Sequence, residues 1–242
     1  MDAQVFTEHF DLEDTHWWFR SKRTLILSLL RRYGALAGPG LDVGCGAGGT
    51  LAVLAAQGDW VGVDADPAAL ALSRRRGLAN LAGSVAESLP FREGAFTACL
   101  CLDLLYHRNV ASEKGALREC HRVLRPGGVL LVTDSAFNWL RSAHDEAVHG
   151  ARRYTRRELV DRVRAVGFTP ILASYAYCLV FPVVAAVRLA RRGGASGSDV
   201  FPLPRPLNAA LLGVQAVERA LLRFGPLPFG SSVVLVARKA AA

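Results

Sequence analysis

A loop of alternating glycines follows one predicted strand of this chain, and an aspartate stands at the end of the next. Gly44, Gly46 and Gly48 make up the loop, and glycines there let backbone amides approach a ligand that side chains would displace. Asp42 precedes the loop, where its carboxylate can accept a hydrogen bond from the amino group of an amino-acid moiety. Asp64 ends the next predicted strand, and a carboxylate at that position can hold both hydroxyls of a ribose.

The glycines alone do not select a ligand, because dinucleotide-binding folds use a related loop. The spacing here is G-x-G-x-G, whereas dinucleotide binders use G-x-G-x-x-G before a helix that receives a pyrophosphate. This difference disfavours a nicotinamide-dependent oxidoreductase and favours another adenosine ligand at the carboxyl edge of the sheet. A strand-end cap without a ligand remains the alternative for Asp64.

Two groups of titratable side chains follow later strands and are placed to handle a second substrate. Asp103, Tyr106 and His107 come directly after the fourth predicted strand, and His149 follows the fifth, after His144. Histidine is the natural base near neutral pH, so both His107 and His149 are candidate bases. For each of them a structural or solvated role remains the alternative.

Strand-like and helix-like segments alternate from residue 20 onward, which is typical of a parallel sheet with helices on both faces. We expect a Rossmann-like α/β fold with a seven-stranded, mostly parallel sheet. The expected strands cover residues 41–43, 60–63, 78–83, 96–102, 129–133, a segment from Phe168, and 232–237. The expected helices cover residues 25–36, 51–57, a segment from Pro67, 112–124 and 155–166.

The 242 residues suit one α/β domain and are few for two. Within it we expect residues 1–38 to form a helical lid and residues 178–224 to form a helical insertion that caps the acceptor site. The insertion reads as a helix over 178–192, a loop with a hinge at 193–197, and a second helix over 207–224. The second helix carries one apolar stripe, composed of Leu207, Ala210, Leu211, Val214, Val217 and Leu221.

The composition excludes some classes of protein. Hydrophobic residues make up 51% and charged residues 21%, so the chain is globular. The net charge of +8 comes from dispersed arginines, and the densest cluster, over residues 152–164, is typical of a solvated helix face. Attraction to anionic lipid or to a phosphorylated acceptor is the alternative. Five cysteines without a C-x-x-C pair predict neither disulfides nor a metal site, and favour the cytoplasm.

Four segments carry a family resemblance: LDVGCGAGG, VGVDADP, AESLPF and RVLRPGGVLLVT. In this order and spacing they resemble the class I S-adenosylmethionine (SAM)-dependent methyltransferases, particularly the quinone-biosynthesis-like branch. The resemblance covers residues 20–170 and implies fold and cofactor, with S-adenosylhomocysteine (SAH) as product. Segments HWWFR, LDxLYH and HxxRRYT resemble those of a subgroup linked to small-molecule or glycolipid pathways.

The resemblance also implies roles for single residues. The loop glycines Gly44, Gly46 and Gly48, with Cys45 between them, would contact the methionyl part of SAM, and Asp42 its amino group. Asp64 would hold the ribose, Ala65 would border the adenine, and Ala86 and Glu87 would close the adenine edge. Two positions depart from the pattern, because Val85 and Thr97 stand where many relatives carry aspartate.

The N-terminal segment resembles a leading helix that closes over the cofactor. This implies that Trp18 contacts SAM, and that Arg20 and Arg23 pair with its methionyl carboxylate. Anchoring of the paired tryptophans to the core, and solvated surface arginines, are the alternatives.

The function implied is methyl transfer to an oxygen, nitrogen or carbon atom of a small apolar molecule. Asp103, Tyr106, His107 and His149 are the catalytic candidates. A membrane-associated enzyme acting on a lipid or polyprenyl-linked glycan is the first alternative, and a SAM-binding protein without turnover is the second. No Asn/Asp-Pro-Pro-Tyr/Phe segment follows the fourth strand, which disfavours a nucleic-acid substrate. The acceptor, the methylated atom and the oligomeric state are not predicted.

Overall fold

A computed structural model of the chain describes residues 10–190 and 200–241. Seven strands form one sheet in the order β3-β2-β1-β4-β5-β7-β6. The strands are β1 (Gly40–Val43), β2 (Trp60–Asp64), β3 (Leu81–Gly83), β4 (Phe96–Leu102), β5 (Leu124–Ser135), β6 (Phe168–Ala176) and β7 (Ser232–Lys239). Strand β7 is antiparallel to both of its neighbours, and all other neighbouring pairs are parallel. The expected Rossmann-like, mostly parallel sheet is confirmed.

Helices cover both faces of this sheet. They are α1 (Trp17–Arg32), α2 (Gly49–Ala55), α3 (Pro67–Arg75), α4 (Glu113–Val123), α5 (Ala143–Ala147), α6 (Arg156–Arg164), α7 (Phe181–Ala190) and α8 (Arg205–Leu221), with a short 3₁₀ helix at Asn138–Leu140. Local capping sets several starts. Asp66 caps α3, whose first residue is Pro67, Ser112 caps α4, and Thr155 forms a capping box with Glu158 at α6.

The central strands are buried on both sides, because they have neighbours in the sheet and helices above and below. All four residues of β1 are buried. On β4, Cys99 and Cys101 pack in one of the two hydrophobic clusters of the core, while Ala98 and Leu100 pack in the other. This burial holds the carboxyl ends of β1, β2 and β4 in fixed positions, and the loops that follow these ends carry the predicted site residues.

Helix α1 is longer at its start than the sequence predicted. It begins at Trp17, where the His16 ring accepts a hydrogen bond from the Trp18 N–H at 3.3 Å. The polar residues Ser21 and Arg23 face the interior, so the apolar periodicity is hidden over the first two turns. The helix ends at Arg32, because Gly34 adopts a φ of +66°. The sequence predicted a later end, at residue 36.

Helix α8 corrects the prediction for the insertion. It packs on α1, and its buried residues are Gln215 and Glu218, whereas Leu207, Val217 and Leu221 of the predicted apolar stripe are exposed. The predicted hinge at 193–197 lies outside the described residues. Across residues 10–190 and 200–241, every helix is too short or too polar to span a bilayer.

Candidate functional site

A cavity of about 710 Å³ opens at the edge of the sheet where β1, β2 and β4 end. Open α/β sheets bind their ligands at this edge. Twelve of the fifteen predicted site residues line the cavity: Trp18, Asp42, Gly44, Cys45, Gly46, Asp64, Ala65, Ala86, Glu87, Asp103, Tyr106 and His107.

The structure does not bring the other three predicted residues to the cavity wall. Gly48 precedes α2 as its N-cap with a φ of +81°, and a Cβ there would lie 2.6 Å from Ser73 Oγ, so packing requires glycine at this position. Arg20 is exposed on α1. His149 lies beside His107, with ring centroids 5.7 Å apart, but does not line the cavity.

The glycine loop turns sharply beside the cavity. Gly44 and Gly46 have φ angles of +75° and +56°, a region that side chains disfavour. A Cβ on Gly44 would lie 2.7 Å from Leu104, whereas one on Gly46 would meet nothing within 4 Å. The amides of Gly44 and Cys45 both donate to the Val63 carbonyl, at 2.7 and 2.9 Å. The loop is therefore held against β2 and leaves open space beside Gly46.

Asp64 is fixed by the same loop. Its Oδ2 accepts from the Gly46 N–H and its Oδ1 from the Asp66 N–H, both at 2.9 Å. Burial raises the pKa of Asp64, and these backbone hydrogen bonds oppose the rise. Each carboxylate oxygen has a second acceptor position, so the side chain can still receive two hydroxyl groups.

Asp42 is a buried polar residue of the site with one unsatisfied oxygen. Its side chain is only 2% exposed, and its Oδ1 has no hydrogen-bond partner among the described residues. Burial raises the pKa of Asp42 to about 7, while the nearby charge of Lys22 lowers it and that of Asp64 raises it further. A buried unpaired carboxylate costs free energy, which an ammonium group placed in the cavity would recover.

Lys22 lines the cavity and was missed from the sequence. Its ammonium pairs with the carboxylate of Asp103, which also accepts from Thr133 Oγ1 at 3.2 Å. The Lys22 ammonium lies 5.1 Å from the centroid of the Trp18 ring. Lys22 follows Trp18 by four residues, so both share one helix face, and a correctly placed helix start would have revealed this.

The two predicted catalytic groups come together in the fold. His107 forms an antiparallel bridge with Gly150, the Arg108 N–H donates to the His149 carbonyl at 2.9 Å, and the Ala151 N–H donates to the Tyr106 carbonyl at 2.8 Å. The segment after β4 therefore packs against the segment after β5.

The chemistry of His107 follows from its contacts. Burial lowers the pKa of His107 to about 4, so the ring is neutral at physiological pH. Its Nδ1 accepts from the Asn109 N–H at 3.2 Å, which leaves the proton of the neutral ring on Nε2. Burial also raises the pKa of Tyr106 well above its ordinary value, and the nearby charge of Asp103 adds to the rise, so the phenol stays protonated.

The remaining polar residues of the second group have structural contacts. Arg153 and Asp145 form a buried, bidentate ion pair with distances of 2.7 and 2.9 Å. Burial alone would raise the pKa of Asp145, but the hydrogen bonds and charge of Arg153 outweigh it, and the pKa is lowered. Tyr154 donates to the Leu105 carbonyl at 3.0 Å. These contacts hold the loop that carries His149.

Apolar residues of the segment after β6 line part of the cavity. They are Val180, Val183, Val184, Val187, Phe201 and Leu203. Trp17 and Trp18 of α1 also line the cavity, and the Trp18 ring stacks on Tyr177 with centroids 6.3 Å apart. No residue of α8 lines it, so within the described residues the wall comes from α7 and residues 200–203.

Comparison with known proteins identifies relatives of this domain. Residues 41–132 match a family profile described as "Methyltransferase domain". The chain is 35% identical over 121 residues to a ubiquinone biosynthesis O-methyltransferase of Pseudomonas paraeruginosa, covering 46% of this chain and 49% of the relative. It is 34% identical over 168 residues to a demethylmenaquinone methyltransferase of Mycobacterium bovis, covering 68% and 65%. The chain thus spans less than two thirds of the length of these curated relatives.

Solved structures resemble the whole fold. A SAM-dependent methyltransferase from Thermotoga maritima superposes with a TM-score of 0.61 at 18% identity, over 98% of this chain and 95% of that one. A geranyl diphosphate C-methyltransferase from Streptomyces coelicolor, solved with Mg²⁺, geranyl diphosphate and SAH, gives a TM-score of 0.56 at 16% identity, over 85% and 72%. At these identities the likeness establishes the architecture.

Proposed function

We propose that this chain, whose residues 41–132 form a methyltransferase domain of the class I SAM-dependent family, binds SAM and transfers its methyl group to a small molecule. The profile match and the relatives named as methyltransferases support this proposal. One observation carries the proposal for this chain: the orphaned Asp42 carboxylate lies beside Gly44, Gly46 and Asp64 in one cavity.

The residues present fit the nucleoside end of SAM. Asp64 has acceptor positions left for the two ribose hydroxyls. Ala65, Ala86 and Glu87 also line the cavity and are assigned to the adenine. Val85, where many relatives carry aspartate, is 48% exposed, so the adenine edge gains an apolar contact there in place of a carboxylate.

The residues also fit the amino-acid end of SAM. Asp42 is assigned to the ligand ammonium, because this contact would satisfy its buried Oδ1. Lys22 is assigned to the ligand carboxylate, in place of the exposed Arg20. An ammonium has three donors, so Lys22 can hold Asp103 and a second carboxylate together. Arg23 donates to the carbonyls of Glu13 and Gly49 and is assigned to holding the segment that precedes α1.

SAM supplies a methyl group already activated on a sulfonium. What remains for the protein is to align the acceptor, exclude water and manage one proton. We assign His107 to donate from Nε2 to the acceptor, because its Nδ1 is occupied by a backbone amide. Asp103 is the carboxylate available to accept a proton, and the Lys22 ion pair fixes its position. Tyr106 shapes the pocket, and His149 supports the His107 ring.

The acceptor is an apolar molecule, and transfer to a hydroxyl oxygen is favoured. The valines of α7, with Phe201 and Leu203, give apolar lining to the same cavity that His107 and Asp103 line. The relatives named for ubiquinone and menaquinone biosynthesis point to the same class of ring compound. We therefore expect a hydroxylated ring to lie against α7 with its oxygen near His107.

Transfer of labelled methyl groups tests this function. The chain is incubated with methyl-labelled SAM and a panel of hydroxylated quinols and phenols, and label is counted in the organic phase. We expect label in at least one apolar acceptor and its loss in the Asp64→Ala variant. Tight SAH binding without transfer to any acceptor, including those in cell extracts, would instead indicate a SAM-binding protein without turnover.

A further inference from the structure

Helix α8 turns its polar side toward the protein. Asn208 accepts from the Trp17 N–H at 2.6 Å and donates to the Thr15 carbonyl at 2.9 Å. The carboxylate of Glu218 accepts from the backbone amides of Tyr177 and Leu179. These contacts hold α8 against α1 and leave its apolar side facing outward.

The outward side of α8 is an unpartnered apolar stripe. Leu207, Val217 and Leu221 are each more than two fifths exposed, and Phe224, just after the helix, is 90% exposed. Single exposed apolar residues are common on protein surfaces, but a row of them at helical spacing marks an interaction site.

A second group of exposed apolar residues lies on α7 and beside it. Val183 is 68% exposed, Val187 and Phe201 are also exposed, and all three line the cavity. Trp139 and Phe229 are exposed as well, and their rings lie 5.9 and 5.5 Å from the ring of Phe181 at the start of α7. Tryptophan and phenylalanine are favoured where a protein meets a lipid interface.

The charges on this side of the molecule have one sign. Within residues 177–190 and 200–231, Arg205 and Arg223 are exposed, Arg188 and Arg219 are half-buried, and the one carboxylate, Glu218, is buried. Basic residues beside an apolar face attract anionic lipid headgroups. A second copy of the chain would place arginines against arginines in a symmetric contact, which is unfavourable.

We propose that the apolar face, defined as the outward side of α8 together with the exposed residues of α7 and Phe201, docks on an anionic lipid surface. The contact is peripheral, with the side chains entering the headgroup region and the arginines meeting lipid phosphates. The mouth of the cavity then opens toward the bilayer. If the chain is the methyltransferase proposed above, its apolar acceptor enters from the membrane.

Vesicle flotation tests the docking. The full chain is mixed with vesicles of phosphatidylcholine alone or of phosphatidylcholine with phosphatidylglycerol. We expect flotation with the anionic vesicles, little with the neutral ones, and a loss as salt is raised. Replacement of Val217 and Phe224 by Asp together should lower the bound fraction at least about tenfold, because charges there oppose burial in lipid.

Matched variants separate the contributions of the apolar residues and of the arginines to vesicle binding. Ile171 is an exposed apolar residue of β6, outside this face, and Ile171→Asp should leave flotation unchanged. Arg205→Ser with Arg223→Ser should weaken binding to anionic vesicles about tenfold or more, while Arg74→Ser on α3 should not. The arginine variants and the salt dependence decide the question even where the aspartate pair fails to fold.

Three results would overturn the proposal: no flotation of the wild-type chain, flotation that the face variants do not change, or a concentration-dependent dimer that the aspartate pair abolishes. SAH affinity is measured on the same samples by calorimetry. Flotation without SAH binding would refute the proposed function alone, and SAH binding without flotation would refute the docking alone.

Discussion

The ammonium of Lys22 on α1 pairs with the carboxylate of Asp103 at the end of β4, inside the cavity. Their side chains are 12% and 20% exposed, so water screens this pair less than a surface salt bridge. The contact ties the N-terminal helix to the strand end where the acceptor is expected. It also places a cation near the buried carboxylate of Asp42. The charge of Lys22 lowers the pKa of Asp42, although burial raises it by more.

Replacing Lys22 by Met should weaken SAH binding by about 1.5–3 kcal/mol, because a hydrogen bond to the charged ligand carboxylate is lost. Calorimetry measures this change. Methylthioadenosine, which lacks the amino-acid moiety, should bind the variant and the wild type equally. Arg20→Met on the exposed side of α1 is the matched control. Equal losses for both ligands would show that Lys22 only holds the helix.

Asp64→Ala should weaken SAH and methylthioadenosine alike, by about 1.5–3 kcal/mol, since both ligands carry the ribose. The fold should survive, because the residue ends β2 rather than filling the core. Asp59→Ala, at the exposed opposite end of the same strand, should change neither affinity. Unchanged SAH binding by the Asp64→Ala variant would contradict the assignment of Asp64 to the ribose.

Asp42→Asn should stabilise the ligand-free protein while weakening SAH binding. The pKa of Asp42 is raised from 3.8 to about 7 in the folded state, so the folded protein retains a proton that the unfolded chain releases. The free energy of unfolding contributed by Asp42 is therefore fully present below about pH 4 and is lost as pH rises toward 7. Chemical denaturation should show the variant more stable than wild type at pH 8, by up to about 4 kcal/mol, and similar at pH 4.

The same residue predicts how SAH affinity depends on pH. The ligand ammonium requires an ionised Asp42, so wild-type affinity should rise between pH 6 and 8 with release of a proton. Titrations in buffers of different ionisation enthalpy measure that proton. In Asp42→Asn the affinity should be lower, and the proton release due to residue 42 should disappear. Identical proton release in the two proteins would contradict the assignment of Asp42.

Two variants of His107 distinguish hydrogen-bond donation to the acceptor from base catalysis. As a donor to the acceptor, His107→Gln should keep most of the activity, because an amide also donates, while His107→Ala should lose about tenfold or more. A histidine base would instead lose about 10²–10⁴-fold in both variants. SAH affinity should stay constant in each. The wild-type rate should not follow a His107 titration above pH 5, because the pKa of His107 is about 4.

Val184 and Val214 compare the two helices of the insertion. Val184 of α7 lines the cavity and Val214 of α8 does not. Val184→Asp should abolish turnover of a water-soluble acceptor while leaving SAH affinity within about twofold, a difference well below 1.4 kcal/mol. Val214→Asp should change neither quantity. Equal losses of turnover in the two variants would show that α8 also forms part of the acceptor wall.

The part of the cavity lining at the ends of β1 and β2 could be predicted because its residues stand at or just after strand ends. Asp42, Gly44 and Gly46 surround one strand end, and Asp64 ends the adjacent strand, so strand order alone brings them together. Lys22 escaped prediction because the polar residues Ser21 and Arg23 face inward near the start of α1. Their hydrogen bonds to backbone carbonyls are invisible to a hydrophobic pattern.

The orientation of α8 shows a different limit. Its apolar periodicity correctly predicts a helix, but it does not tell which side faces the protein. That side is chosen by Asn208 and Glu218, whose partners are backbone groups of Thr15, Trp17, Tyr177 and Leu179. Because these partners lie far away in sequence, only the folded structure reveals them.

Calorimetric titration of SAH and of NAD into the wild-type chain tests the central claim most directly. The account predicts one SAH site per chain and no measurable heat with NAD, since the glycine loop and the orphaned Asp42 suit a ligand with an ammonium group and lack the pyrophosphate spacing. Absence of SAH binding, or binding of NAD with equal affinity, would contradict it.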